Sequence, residues 1–384
     1  MDNYFITQNR RNTRSLKWDS VENDVLPMWL ADMDFKCPPQ ILAALQNIIH
    51  HGILGYPLIT EEYFTAVVDW FKTQYFSIIT SENILPVSGI IPALRAIIEE
   101  FSLEQDYIII QPPVYYPFME VIEDSNRAIL SNPLICNNLG YYTMDIDHLD
   151  SLKKLRPKLL ILCSPHNPVG RIWTRSELTE IRQFCYEQNI LLVVDEIHAD
   201  LILPDYEFTS FASLPKSEFT NYIILSSPTK TFNFAGLRGG NVIVFNEIIR
   251  NALIKRFNRS GINKINSFYI EAATIGYNYC KNWLQLLIKN LYKNYCYVTN
   301  FVKQHIPQLI VAPLEATYLV WINYQRLNIS ESIFITSLSQ YLIVSEGSKF
   351  GIEGQGWIRL NIACSTENIK ASMEILKKTV RSFM

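Results

Sequence analysis

The chain has 384 residues, of which 48% are hydrophobic and 18% are charged, a balance typical of a globular protein with a large core. Its formal net charge of −3 excludes the basic surface on which binding to nucleic acid or to an anionic membrane depends. Seven dispersed cysteines without a CxxC pair, no apolar leader and no apolar run of about 20 residues predict a cytoplasmic protein without a metal site.

Short apolar segments alternate with helical segments along much of the chain. The predicted strands cover residues 106–111, 127–131, 157–163, 190–196, 221–227 and 241–245. A helix is predicted over 175–189, where the sequence TRSE offers a capping box at its start. This alternation predicts an α/β fold with three layers, in which helices cover a mostly parallel central sheet.

The pattern changes at about residue 281. A long helix is predicted there, followed by two shorter strands at 316–323 and 356–363 and by a final helix after residue 366. We therefore expect a large domain over residues 48–280. Residues 281–384, together with the N-terminal segment 1–47, are expected to form a smaller α+β domain.

Polar side chains follow three of the predicted strands. Asn167 lies in a turn after one strand, Asp195 ends the next, and Lys230 follows a third behind Ser226 and Ser227. Each has an ordinary explanation, because Asn-Pro is a common turn, a strand-terminal aspartate often caps a helix, and most lysines are solvated surface cations. Ligands, however, bind at the carboxyl ends of strands in open α/β sheets. Together the three residues therefore predict one site.

This combination of side chains suits pyridoxal phosphate. The cofactor needs a lysine for covalent attachment and a carboxylate opposite its ring nitrogen, and Lys230 and Asp195 fit these two needs. A carboxylate about 4 Å away, at an effective dielectric constant of about 20, stabilises a protonated ring by about 4 kcal/mol. Asn167 can bind the ring's 3-oxygen, and Tyr115, which follows another strand, can stack on the ring.

Two further segments predict a binding site for the cofactor's phosphate. Ser88, Gly89 and Ile90 lead into a predicted helix, whose first backbone N–H groups would face an anion. Ser227 and Arg238 flank the lysine and can add a hydroxyl group and a cation.

The sequence resembles the fold-type I pyridoxal-phosphate enzymes, the aspartate-aminotransferase superfamily. The motifs SGII, HNPVGR, DEIHADL, SSPTKTFNFAGLR and GWIRLNIA carry this resemblance over nearly the whole chain. The segments LPMWLADMDF, HGILGYP, PPVYYPF and KTFNFAGLRGG make it similar to the cystathionine β-lyase branch, the MalY/PatB-type C–S lyases.

The resemblance implies a role for each site residue. Lys230 would carry the cofactor and act as the base, with Asp195 and Tyr115 beside it as the other catalytic residues. Arg359 would bind the α-carboxylate of an amino-acid substrate as a bidentate partner. The cofactor-binding residues that the resemblance implies are Tyr56, Gly89, Ile90, Tyr115, Asn167, Asp195, His198, Ser227, Lys230 and Arg238.

The resemblance also implies a homodimer, because Tyr56 would reach the phosphate of the neighbouring subunit. His198 departs from the aspartate-type transaminases, which place a tyrosine near the 3-oxygen. The expected reaction is cleavage of a Cβ–S bond to a thiol, pyruvate and ammonia. A class I/II aminotransferase is the alternative, since the same residues serve both reactions, and a binding protein that has lost the chemistry is a third possibility.

Overall fold

The structure is a computed structural model that describes residues 4–214 and 219–384. Its strands in chain order are β1 (Leu26–Pro27), β2 (Ile84–Val87), β3 (Tyr107–Ile110), β4 (Ala128–Ser131), β5 (Ile135–Cys136), β6 (Tyr142–Thr143), β7 (Leu159–Cys163), β8 (Leu191–Asp195), β9 (Tyr222–Ser226), β10 (Gly240–Val244), β11 (Ile310–Val311), β12 (Leu319–Asn323), β13 (Leu342–Ile343), β14 (Ser345–Glu346) and β15 (Trp357–Asn361). Its α-helices are α1 (Leu16–Asp19), α2 (Pro39–His51), α3 (Glu61–Gln74), α4 (Ile90–Phe101), α5 (Pro117–Asp124), α6 (Ile146–Ser151), α7 (Arg175–Glu187), α8 (Glu247–Ser260), α9 (Ser267–Tyr279), α10 (Lys281–His305), α11 (Glu331–Ser339) and α12 (Thr366–Arg381).

A seven-stranded sheet forms the centre of the molecule. Its strand order is β2-β10-β9-β8-β7-β3-β4. The strands from β9 to β4 pair in parallel, whereas β10 is antiparallel to both of its neighbours. All six strands predicted for the large domain lie in this sheet, so the predicted α/β fold class is confirmed. The sequence did not indicate β2, an edge strand whose ILPV segment contains a proline.

Both faces of the central sheet are buried. Leu160 and Leu162 of β7 belong to one hydrophobic cluster, while Leu159 and Ile161 of the same strand belong to a second cluster. This division follows the two-residue period of side chains along a strand. Burial on both faces explains why the strands read as continuous apolar runs rather than as alternating patterns.

A second, antiparallel sheet carries the C-terminal strands in the order β11-β12-β15-β14. Helices α10 and α12 pack against each other beside it, and the side chain of Asn294 on α10 donates to the backbone oxygens of Ile362 and Cys364 at 2.9 Å. The predicted domain boundaries stay a prediction; residue 48 lies inside α2, and residue 281 begins α10.

The N-terminal segment joins the C-terminal part of the chain. Strand β1 pairs in parallel with β13, with Leu26 opposite Leu342. The backbone N–H of Asp34 donates to the carbonyl oxygen of Ala363 at 2.8 Å. Among the described residues, no helix is long and apolar enough to cross a membrane.

Candidate active site

The structure brings the three polar residues predicted from the strand ends to one edge of the central sheet. Asp195 is the last residue of β8, and it lies opposite Cys163 on β7 and Leu225 on β9. Asn167 follows β7 in a short loop, and Lys230 follows β9. Because parallel strands end at the same edge, these side chains converge as the sequence predicted.

The amine of Lys230 is held by a backbone carbonyl. Its Nζ atom donates to the oxygen of Ala31 at 2.7 Å, and the hydroxyl of Tyr318 donates to the same oxygen at 3.1 Å. Burial lowers the pKa of Lys230 to about 8; Arg359 lowers it further, whereas Asp32 and Asp195 raise it. A substantial fraction of the amine is therefore neutral near pH 8, the form that attacks a carbonyl or removes a proton.

The carboxyl group of Asp195 is almost completely buried and accepts a hydrogen bond from the backbone of Ile197 at 3.1 Å. Burial raises the pKa of Asp195 to about 7, although that bond and the charge of Lys230 oppose the change. A buried carboxylate of this kind needs a cationic partner to stay ionised. A protonated ring nitrogen is such a partner.

Arg359 crosses from the second sheet to reach the same edge. Its guanidinium donates to the side-chain oxygen of Asn167 at 3.0 Å, to the carbonyl of Trp29 at 2.8 Å and to the hydroxyl of Ser345 at 3.1 Å. The Cζ atom of Arg359 lies 4.8 Å from the ring centre of Phe350. Burial lowers the pKa of Arg359 to about 10. None of these partners is an anion, so the guanidinium can still pair with a carboxylate.

His198 and Tyr115 lie beside these groups. The His198 side chain is buried, its Nδ1 atom has no partner in the described residues, and burial lowers the pKa of His198 to about 3. The imidazole is therefore neutral at ordinary pH. Burial raises the pKa of Tyr115, whose hydroxyl feels the charges of Arg359 and Asp195. The centres of the Tyr115 and Phe118 rings lie 5.6 Å apart in an edge-on arrangement.

The N-terminus of α4 presents backbone N–H groups at the same edge of the sheet. Gly89 is the N-cap of this twelve-residue helix, so the first backbone N–H groups, beginning with Ile90, have no partner inside the helix. Gly240 lies against this turn, since a Cβ atom at that position would come 2.4 Å from Ile90 Cδ1. The Ser227 hydroxyl is fixed by the oxygen of Gly239 at 2.8 Å.

Arg238 lies just before β10. Its backbone is in the left-handed region, with φ of 50°, directly before Gly239. Its guanidinium is exposed and makes no hydrogen bond or ion pair with the described residues. A cleft of about 870 Å³ opens between Arg238, Lys230 and the N-terminal segment. An anionic ligand in the cleft would meet an arginine that has no competing partner.

Tyr56 is the one predicted cofactor residue that the structure does not bring to this edge. It is fully exposed, in a stretch between α2 and α3 without helix or strand. Three apolar side chains of the same stretch, Ile53, Leu54 and Leu58, are each at least 65% exposed.

Sequence reasoning missed several neighbours of the site. Tyr318, Ser345 and the carbonyls of Trp29 and Ala31 contact Lys230 or Arg359, or share their partners. The segment LPMWLADMDF was noticed as a motif, but backbone carbonyls carry no sequence signal of their role. Thr317, which directly precedes Tyr318, stands out only in the structure. This buried, β-branched residue has a φ of 76°, a backbone conformation that such residues rarely adopt.

Comparison with known proteins identifies relatives along the whole chain. A model of the family described as "Aminotransferase class I and II" matches residues 25–376. Cystathionine beta-lyase PatB of Bacillus subtilis is 32% identical over 383 residues, which cover 98% of this chain and 99% of that protein.

Solved structures show the same likeness. Cystalysin from Treponema denticola, described as containing a pyridoxal 5'-phosphate cofactor, is 35% identical with a TM-score of 0.95, and all of both chains is covered. The PLP-bound C-S lyase from Staphylococcus hominis is 29% identical with a TM-score of 0.91, and 98% of each chain is covered.

Proposed function

Because this chain belongs to the class I and II aminotransferase family, we propose that it is a pyridoxal-phosphate-dependent carbon–sulfur β-lyase that acts on S-substituted cysteines such as cystathionine. The observation that carries the proposal is the meeting of Lys230, Asp195 and Arg359 at one sheet edge. Similarity over the full length to proteins named cystathionine beta-lyase and C-S lyase supports it.

The residues present fit the cofactor. Asp195 is a buried carboxyl group whose raised pKa calls for a cation, and the N-terminus of α4 leaves N–H groups for a phosphate. The buried Nδ1 atom of His198, which has no partner among the described residues, and the amide of Asn167 would bind the 3-oxygen. Lys230 would hold the cofactor covalently. Ser227, Arg238, Gly89 and Ile90 would hold its phosphate, and Tyr115 would stack on its ring.

The reaction follows from what these side chains can do. Arg359 binds the substrate α-carboxylate and so orients the Cα–H bond toward Lys230. The amine of Lys230, once the amino group of the substrate has displaced it, removes the Cα proton, and the Cβ–S bond breaks with departure of the thiolate. When bound, pyridoxal phosphate supplies the ring that stabilises the negative charge at Cα. Uptake of one water then gives pyruvate and ammonia beside the thiol.

Elimination and amino transfer differ in what they need from a second substrate. Elimination needs none, whereas amino transfer stops after one half-reaction until a 2-oxo acid is supplied. We expect purified protein with pyridoxal phosphate to release pyruvate and thiol from cystathionine continuously in the absence of any oxo acid. Release that stops at one equivalent per site, and resumes on addition of 2-oxoglutarate, would replace the lyase by the aminotransferase that the family description favours.

The proposal includes a homodimer in which Tyr56 reaches the partner's phosphate. The exposed apolar side chains of Ile53, Leu54 and Leu58 support it, because several large apolar side chains exposed in one segment are typical of an interface. Light scattering should give twice the mass of 44.5 kDa, and Tyr56→Phe should weaken cofactor binding without dissociating the dimer. A monomer with full activity would contradict this part.

The cytoplasmic location is a further part of the proposal. The free cysteines support it, because disulfide bonds are rare in that compartment.

A further inference from the structure

Two buried charges near the site have no part in the chemistry proposed above. Lys17 on α1 is fully buried, and its Nζ atom lies 2.9 Å from Oδ2 of Asp34, which is itself only 3% exposed. The amine also donates to the carbonyl oxygen of Asp32 at 3.0 Å. Since taking an ion pair out of water is costly, this pair calls for an explanation beyond general stability.

Asp34 is the centre of a larger set of donors. Its Oδ1 atom accepts from the indole N–H of Trp18 at 2.7 Å and from Arg10 at 3.0 Å. Its own backbone N–H donates to Ala363 at 2.8 Å. The carboxylate is thus bound by three side chains, and its main chain is bound to the segment that follows β15. Asp34 is therefore fixed from several directions at once.

The residues from 29 to 34, here called the strap, lead from this anchor to the site. The Trp29 carbonyl accepts from Arg359 at 2.8 Å and from Ser345 at 2.8 Å. The Ala31 carbonyl accepts from Lys230 at 2.7 Å. Asn361 donates to the oxygens of residues 30 and 32, at 2.6 and 2.9 Å. The hydrogen bonds from Lys230 and Arg359 to the strap end on backbone carbonyls, so the position of the strap decides where these two carbonyls point.

We propose that Lys17 and Asp34 are positioning residues for recognition of the substrate carboxylate: their buried pair fixes the strap, and the Trp29 carbonyl of the strap aims Arg359. The inference rests on the proposed function, since it takes Arg359 as the carboxylate-binding residue. Ser345 shares the Trp29 carbonyl with Arg359, so a shift of the strap disturbs two of the arginine's partners together.

The test uses two ligands that differ by one group. L-alanine carries an α-carboxylate, and ethylamine is the same molecule without it; both are titrated against cofactor-loaded protein, and binding is followed in the cofactor's visible absorption. We expect Lys17→Met to weaken binding of L-alanine about tenfold and to change that of ethylamine less than twofold. Equal weakening of both ligands, or none, would overturn the inference.

A second variant separates positioning from stability. Buried ion pairs can often be replaced by apolar side chains without loss of stability. Lys17→Met combined with Asp34→Leu should therefore recover most of the melting temperature lost in Lys17→Met, while binding of L-alanine stays about tenfold weaker. If affinity returns together with melting temperature, the pair is merely structural and the inference is wrong.

Leu253→Ala provides the matched control. Leu253 is a buried residue of α8, and it belongs to a different hydrophobic cluster from Met33 of the strap. Its loss should lower the melting temperature through a cavity, with affinities for both ligands unchanged. If Lys17→Met does not fold, Trp18→Phe removes one donor from Asp34, and we expect two- to fivefold weaker L-alanine with unchanged ethylamine. No change for L-alanine would then overturn the inference.

The wild-type titration distinguishes this inference from the proposed function. Wild-type protein that shows no absorption change with L-alanine would overturn the proposed function, and this inference with it. A normal response in the wild type and an identical response in the variants would overturn the positioning role alone.

Discussion

The two sides of the candidate active site are held by different kinds of contact. On the sheet side, Asp195 is the last residue of a buried strand, and the Ser227 hydroxyl binds Gly239 only twelve residues away. On the other side, Arg359 is held by Asn167 and Trp29, which are 192 and 330 residues away. Apart from the Lys230 amine, which binds the Ala31 carbonyl 199 residues away, the sheet side is thus built by local chain geometry. The carboxylate-binding side depends on the assembly of distant segments.

This difference predicts that substitutions on the two sides affect different properties of the enzyme. A change on the sheet side removes chemistry while the substrate can still bind. A change on the other side weakens substrate binding while the cofactor stays in place.

Lys230→Ala gives the largest expected effect on the sheet side. Removal of the amine eliminates both the attachment point and the base, and a positioned base alone contributes about 10²–10⁴ in rate. We expect pyruvate release to fall at least about 1,000-fold, with the helix content in circular dichroism unchanged. A variant that keeps a tenth of the turnover would place the base elsewhere.

Asp195→Asn should lower kcat by about 10²–10³, because about 4 kcal/mol of interaction with a protonated ring is lost. The change in KM should stay within a factor of about 3, in keeping with the contrast between the two sides. Glu196→Gln is the matched control, since the neighbouring carboxyl group binds Ser210 and the backbone of Phe211, at 2.8 and 2.7 Å. The control should keep its kcat; an equal loss in both variants would deny Asp195 a specific role.

Arg359→Ala tests the other side. The loss of a charge-assisted pair with a carboxylate costs about 2 kcal/mol, or about 30-fold in kcat/KM. We expect most of this change in KM, measured with cystathionine, and we expect the visible absorption of the bound cofactor to remain. Arg359→Lys should recover part of the affinity, because the charge remains without the bidentate geometry. A loss confined to kcat would contradict the assignment of Arg359 to substrate binding.

The smallest expected effect is on stability against pH in protein freed of cofactor. Burial raises the pKa of Asp195 to about 7, above its ordinary value. Between these two pKa values the folded state binds more protons than the unfolded state. The contribution of Asp195 to the free energy of unfolding is therefore fully present at low pH and is lost as the pH rises from about 4 to about 7. Melting temperatures should fall over this range by less in Asp195→Asn than in the wild type. The neighbouring Glu196, whose pKa burial raises to about 8, contributes a fall that both proteins share.

The contrast between the two sides also explains how far the sequence could be interpreted. Lys230 and Asp195 follow apolar runs, and a run buried on both faces is visible in the sequence. Gly89 and Ile90 could be placed because a glycine before a helical pattern is a local signal. Fold class and the sheet side of the site are therefore predictable from short segments.

The rest of the site depends on contacts that leave no local pattern. Arg359 was identified only through a resemblance, since nothing in its own strand indicates that Asn167 and Trp29 meet it. The strap's hydrogen bonds with Lys230 and Arg359 use carbonyl oxygens, which every residue has. Lys17 and Asp34 are separated by 17 residues, and sequence spacing alone does not bring the two together.

The pairing of β1 with β13 has a consequence for synthesis of the protein on the ribosome. Leu26 emerges early but finds its partner, Leu342, only when nearly the whole chain has been translated. At rates of about 5–20 residues per second, this N-terminal strand waits roughly 15–60 s unpaired. Asp34 waits longer, for Ala363. A nascent chain thus completes its central sheet before its active site, and a product truncated before residue 342 would lack the partners on which the N-terminal segment depends.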